Sequence, residues 1–111
     1  MNNLKIITLN VRGLRDMTKR DALLSWFASE DVDIVALQET HCVSKSELEN
    51  WLSTSSYSGY GSFLSSRAAG TAILVKKNFP FSVGSAVEDQ DGRFVMISFQ
   101  HNTHSFSVAC V

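Results

Sequence analysis

Val32-Asp33-Ile34-Val35-Ala36-Leu37-Gln38-Glu39-Thr40-His41 is the stretch whose reading decides the fold. Its first half is an apolar run of the kind that forms a buried strand. Its second half delivers one carboxylate, Glu39, to the C-terminal end of that strand among other polar groups. Ligand and metal sites of open α/β sheets sit at such strand ends. Upstream, Leu4 to Asn10 reads as a first, central strand that ends on an amide in Thr8-Leu9-Asn10-Val11-Arg12-Gly13-Leu14. Between the two, Thr18-Lys19-Arg20-Asp21 resembles a capping box with Asp in place of Glu. Leu23, Leu24, Phe27 and Ala28 then follow at helical spacing, which predicts an amphipathic helix from Thr18 to about Ser29. A β-α-β order implies a parallel pair with a right-handed crossover. Both strand tips then lie on one edge of the sheet, and Asn10 and Glu39 come within reach of one ion.

Downstream, Ser44-Lys45-Ser46-Glu47 is a second capping box, and Leu48, Trp51 and Leu52 give a short helix an apolar face. The remainder reads as strands: Tyr57 to Leu64, Thr71 to Lys76, Phe81 to Val87, Arg93 to Phe99, and Ser105 to Val111. Ser65 to Gly70 is a loop. Pro80 stands at a strand start, where its missing N–H does least harm. Asp89-Gln90-Asp91-Gly92 is a hairpin turn with Gly92 available for positive φ, and Gln100 to His104 is another turn. The expected fold class is α/β, a mixed β-sheet with two covering helices. Two helices cover part of one face, so the opposite face is expected to be bare.

The length of 111 residues fits one domain or part of one, and 44% hydrophobic with 19% charged residues fits a globular protein. A net charge of −1 argues against tight polyanion binding by this chain alone. It does not exclude an enzyme that recruits a metal to offset phosphate charge. Cys42 and Cys110 lack metal or redox spacing and read as free thiols of a reducing compartment. The start of the chain lacks the sections of a signal peptide, and no apolar run approaches the roughly 20 residues of a membrane span. The expectation is an intracellular protein, nuclear or cytoplasmic, with no membrane partner.

Glu39 is the sharpest candidate. Magnesium prefers oxygen ligands and is held by one or two carboxylates plus substrate phosphate, and a strand-end Glu suits that role. Asn10 can hydrogen-bond the carboxylate or a phosphate oxygen. Arg12 and Arg15 follow Asn10 on the same edge, and Arg suits bidentate phosphate contact. His41 and Arg93 are further candidates for phosphate or DNA contact, each with a plain surface role as the alternative. His101 and His104 read as surface residues of a turn, their spacing suiting a metal clip only weakly.

With these residues in place, the chain resembles the N-terminal half of an endonuclease/exonuclease/phosphatase family domain. Within that family it is most similar to the apurinic-type endonuclease domain of LINE-like (non-LTR) retrotransposons. The matching pieces are Leu9-Asn10-Val11-Arg12-Gly13-Leu14, Asp33 to His41, and Gly70-Thr71-Ala72-Ile73-Leu74-Val75. The resemblance implies a four-layer α/β sandwich with two facing sheets and nicking of target DNA by magnesium- or manganese-dependent hydrolysis. Glu39 is then the metal ligand, with Asn10 its active-site partner and second metal contact. It also implies a Tyr, an Asp-x-Asn pair, a further Asp and an Asp-His pair beyond residue 111. The expectation is therefore a partial domain over residues 1–111, its second sheet absent and its nuclease activity missing as a monomer. Two alternatives stay open. One is a binding or assembly module that buries its bare sheet face on a second copy, through the strand Phe106 to Val111 beside Thr71 to Val75. The other is a relative that hydrolyses phosphoinositide or sphingolipid head groups.

Overall fold

The computed structural model describes residues 4–64 and 69–111. The element order is β1 (Ile6–Asn10), α1 (Met17–Ser29), β2 (Ile34–Gln38), α2 (Lys45–Leu52), β3 (Tyr57–Ser62), β4 (Thr71–Lys76), β5 (Ser82–Glu88), β6 (Val95–His101) and β7 (His104–Cys110). Of the expected loop Ser65 to Gly70, residues 65–68 lie outside the described residues.

The strands divide into two sheets. Four form a mixed sheet of order β1-β2-β4-β3, and three form an antiparallel sheet of order β5-β6-β7. The β1–β2 pair is parallel, as the β-α-β order requires, and Asn10 is in register with Gln38. Side chains alternate across the first sheet. Val35, Leu37, Ala72 and Leu74 meet Phe27 of α1 and Leu48 and Leu52 of α2 in one core. Ile34, Ala36, Ile73 and Val75 point the other way and meet Val95, Ile97, Phe99 and Cys110 of the second sheet in another. The layers therefore run helices, first sheet, second sheet.

This corrects the expected bare face and absent second sheet. The sheet-one face away from the helices is covered by β6 and β7 from the same chain. The alternation in Val95, Ile97 and Phe99 against exposed Met96 and Gln100 is that of a sheet buried on one side only. Likewise β7 is not buried on both faces, and it pairs with β6 rather than lying beside β4 in one sheet. β1 is an edge strand, not a central one. Sheet two has three strands and does not extend over β1. Ile6 is consequently 43% exposed, while its register partner Ile34 is fully buried.

The helix starts follow local hydrogen bonding. Ser44 caps α2, its hydroxyl accepting from the Glu47 N–H (3.1 Å). At α1 the cap is Asp16, whose carboxylate accepts from the Thr18 N–H (3.0 Å), so the helix starts earlier than a Thr18 cap would place it.

Both cysteines are buried free thiols. Burial pushes the Cys42 thiol up to about 11 from its ordinary 9.0, and burial raises Cys110 as well. A thiol held protonated in the fold but free to ionise when unfolded has no pH-linked cost below about pH 9. Stability is then lost as pH rises towards 11, by about 2–3 kcal/mol for Cys42. Urea midpoints at pH 8 and 10.5 are expected to show that loss. Cys42→Ala is expected to flatten the alkaline limb.

Candidate functional site

β1 and β2 end side by side, and the chain beyond them stays paired. The Val11 N–H donates to the Gln38 carbonyl (3.0 Å), Gly13 to Glu39 (2.6 Å) and Leu14 to Thr40 (2.9 Å). On the other flank, Thr40 and His41 donate to the carbonyls of Gly70 (3.0 Å) and Ala69 (2.9 Å). Three strand tips are thus laced into one platform. Arg12 (φ 51°), Glu39 (φ 53°) and His41 (φ 61°) all take left-handed backbone there. Of these only His is a residue type enriched there, and Arg and Glu are not. Such conformations persist only where the surroundings over-determine them.

Asn10 and Glu39 meet on this platform. The Asn10 Nδ2 donates to Glu39 Oε2, and Asn10 Oδ1 accepts from the Arg12 N–H (3.1 Å). The amide is used at both ends, so in this arrangement Asn10 orients the carboxylate. Glu39 Oε1 has no hydrogen-bond partner among the described residues, and both side chains are exposed. A hard cation that keeps several waters fits one such oxygen. Among the described residues no group of three or more His, Cys, Asp or Glu side chains converges.

The other candidates separate. Arg12 is exposed beside Asn10, and its guanidinium has no partner among the described residues. The His41 ring lies over Gly13, where an added Cβ would sit 2.6 Å from its Nδ1. Arg15 is already engaged: it donates to both carboxylate oxygens of Glu47 (2.9 and 2.8 Å) and to the His41 carbonyl (3.0 Å). It also lies over the Trp51 ring. Arg93 pairs with Asp89 and Asp91. Ser62 holds the turn of Arg93 by donating to the Asp89 carbonyl. Ser62 is three strands from Asn10 along the row Asn10, Gln38, Thr71, Ser62, about 14 Å at one strand spacing per step. The structure thus brings together Asn10, Arg12, Glu39 and His41, leaves Arg15 beside them but occupied, and sets Arg93 apart.

Several residues not singled out in the sequence shape the platform. Gln38 Nε2 donates to Thr8 Oγ1 (2.9 Å) and Cys110 Sγ (3.3 Å), tying the strand before Glu39 to both sheets. Thr71 carries a buried hydroxyl with no partner among the described residues. The in-register pairing of Asn10 with Gln38 was the available signal, because it puts Thr8, Asn10 and Gln38 on one face. Glu47 also accepts from the Val43 N–H (3.1 Å), and Arg15 holds its carboxyl below the ordinary carboxylate range. Glu47→Ala is expected to cost about 1–2 kcal/mol, since it unpairs Arg15 and Val43 in a half-exposed setting. Faster amide exchange at His41 and Val43 is the accompanying readout.

The model of the endonuclease/exonuclease/phosphatase family matches residues 7–103. The chain belongs to this family. It is 31% identical over 111 residues to the DNA repair nuclease APEX1 of Danio rerio, covering 87% of this chain and 33% of that protein. It is 29% identical over 102 residues to an exodeoxyribonuclease of Bacillus subtilis (strain 168), covering 88% of this chain and 39% of that one. The chain thus spans between a third and two fifths of these relatives. The fold is that of the AP endonuclease LMAP from Leishmania major (TM-score 0.71, 20% identity, 96% of this chain and 39% of that one). It is also that of D. rerio TDP2 complexed with single strand DNA product (TM-score 0.72, 20% identity, 98% and 45%). A mixed α/β fold and membership of the endonuclease/exonuclease/phosphatase family are therefore established. No described helix is long and apolar enough to cross a membrane.

Proposed function

We propose that this chain supplies the Asn10–Glu39 part of a divalent-metal phosphodiesterase site whose substrate is the DNA backbone. The observation that carries the proposal is the hydrogen bond that aims Glu39 while leaving Oε1 open. Glu39 would hold magnesium or manganese, with water and phosphate oxygens completing the coordination. When bound, the ion supplies neutralisation of charge on the phosphate and the leaving oxygen. Asn10 fixes the carboxylate rotamer, and Arg12 meets a phosphate oxygen by a charge-assisted hydrogen bond. His41 borders the same platform. The names of the two curated relatives, a DNA repair nuclease and an exodeoxyribonuclease, favour DNA over a lipid phosphate. The strings Arg12-Gly13-Leu14 and Gln38-Glu39-Thr40-His41 favour a retroelement-type endonuclease, which nicks target DNA for integration.

Manganese titration followed by amide NMR tests the metal site. Paramagnetic broadening is expected to centre on residues 10–13 and 38–41 and to vanish in Glu39→Ala. Broadening elsewhere, or unchanged in the variant, would remove Glu39 from the role. A second reading, self-association, is favoured by the uncovered flank of β1, where Leu4 and Ile6 are exposed. A dimer by light scattering at micromolar concentration would support it, and a clean monomer would count against it.

A further inference from the structure

The end of the sandwich away from Glu39 carries a feature that the phosphodiesterase reading does not use. Val95, where β6 starts, is in register with Cys110, which touches Gln38 near the platform. His101, where β6 stops, is in register with His104, where β7 starts. That is six residues along the strand, or about 20 Å away. The two histidines close a hairpin whose turn is Asn102-Thr103, with Asn102 in the left-handed region (φ 56°).

The pairing fixes what the imidazoles share. Residues directly opposite in an antiparallel ladder stand on the same face, with Cβ atoms about 4.5–5.5 Å apart. His101 has the parity of Val95, Ile97 and Phe99, and His104 that of Phe106, Val108 and Cys110, which are the inward-facing positions. Both histidines therefore turn towards the mouth of the intersheet space. There they line a cleft of about 500 Å³ together with Leu4, Pro80, Phe81 and Phe106. The His101 ring lies 5.1 Å from the Phe81 ring, centroid to centroid. Among the described residues neither imidazole forms a hydrogen bond or an ion pair. Two imidazoles held on one face by a tight turn and bordered by aromatic carbon offer two nitrogen donors to one cleft.

We propose that His101 and His104 form a binding site for a first-row transition metal ion of the imidazole-favouring class: zinc, copper(II) or nickel(II). Nitrogen donors without a carboxylate select these ions over magnesium or calcium. With two protein ligands, the other coordination positions face the cleft and carry water or an added ligand, as in an open site. The site is separate from the Asn10–Glu39 platform in place and in donor chemistry. It stands whether or not the phosphodiesterase proposal does.

Calorimetric titration of the 111-residue chain with zinc chloride, alongside copper(II) electron paramagnetic resonance, tests this. The expected result is saturable zinc binding that depends on the two histidines and a copper spectrum with two nitrogen donors. His101→Gln and His104→Gln should each weaken zinc binding by about 100-fold, the effect expected when two linked ligands become one. Both positions are exposed, and circular dichroism checks that each variant keeps the fold. His41→Gln serves as the contrast and should leave zinc affinity unchanged. Absence of saturable zinc binding, affinity unaltered in both hairpin variants, or affinity lost in His41→Gln would each overturn the proposal.

Discussion

Phe99→Ala is expected to cost about 3–5 kcal/mol, the range for deleting a fully buried phenyl group. Phe99 has no exposed surface and sits where the two sheets meet. Its ring stacks with Phe106 at 5.0 Å and meets Phe79 edge-on at 5.7 Å. The neighbours are themselves large and mutually packed, since Phe81 stacks on Phe79 at 5.3 Å and meets Phe106 edge-on at 5.1 Å. A cluster of that kind cannot collapse into the space left by one ring, so the cavity contribution is retained in full. Domains of ordinary stability have about 5–15 kcal/mol in total. The variant should therefore unfold at a much lower urea concentration, with an unchanged slope. Phe99→Leu should lose less. A loss below about 1 kcal/mol for the alanine variant would mean that the sheets are not packed through this residue.

Gly13→Ala is expected to cost about 2–4 kcal/mol and to disturb the platform directly. Gly13 has φ +94°, a backbone conformation that an L side chain adopts only under strain. The added Cβ would also lie 2.6 Å from Nδ1, 3.0 Å from Cε1 and 3.3 Å from Cγ of His41, so the ring must move. Gly13 donates to the Glu39 carbonyl, which couples this strain to the peptide that carries the acid. The measurements are denaturant midpoint and the imidazole proton shifts of His41. A stable variant with unshifted His41 resonances would show that the ring is not seated over Gly13.

Much of this arrangement is legible in the amino acids. The continuous apolar run Ile34 to Leu37 announces a central strand, because both of its faces are buried. The β-α-β order is enough to make β1 and β2 parallel and so to put Asn10 and Glu39 on one edge. Thr71 to Lys76 is bounded in the sequence as it is in the fold. Other features depend on tertiary partners. Leu4 to Asn10 looks central by composition. Lys5 and Thr8 are the polar positions that mark it as an edge. The switch from one sheet to the other falls between β4 and β5, around Phe79-Pro80-Phe81, and nothing local distinguishes that crossing from an ordinary turn. Arg15 looks like a phosphate ligand until Glu47, far along the chain, is seen to take both of its donor edges. The left-handed backbone at Arg12 and Glu39 leaves no trace in residue type. It follows from lacing three strand tips together.

The two sheets also differ in how far apart in the chain their partners lie, and this sets an order of events. β5, β6 and β7 are consecutive and joined by connections of six residues or fewer, so their pairing closes only short loops. β1, β2 and β4 must find one another across a helix or more, at a larger entropic cost. The three-stranded meander is accordingly expected to pair first and to present its phenylalanine-rich surface to the slower sheet. Asn10 and Glu39, which meet only when β1 and β2 pair, are then expected to acquire their geometry late.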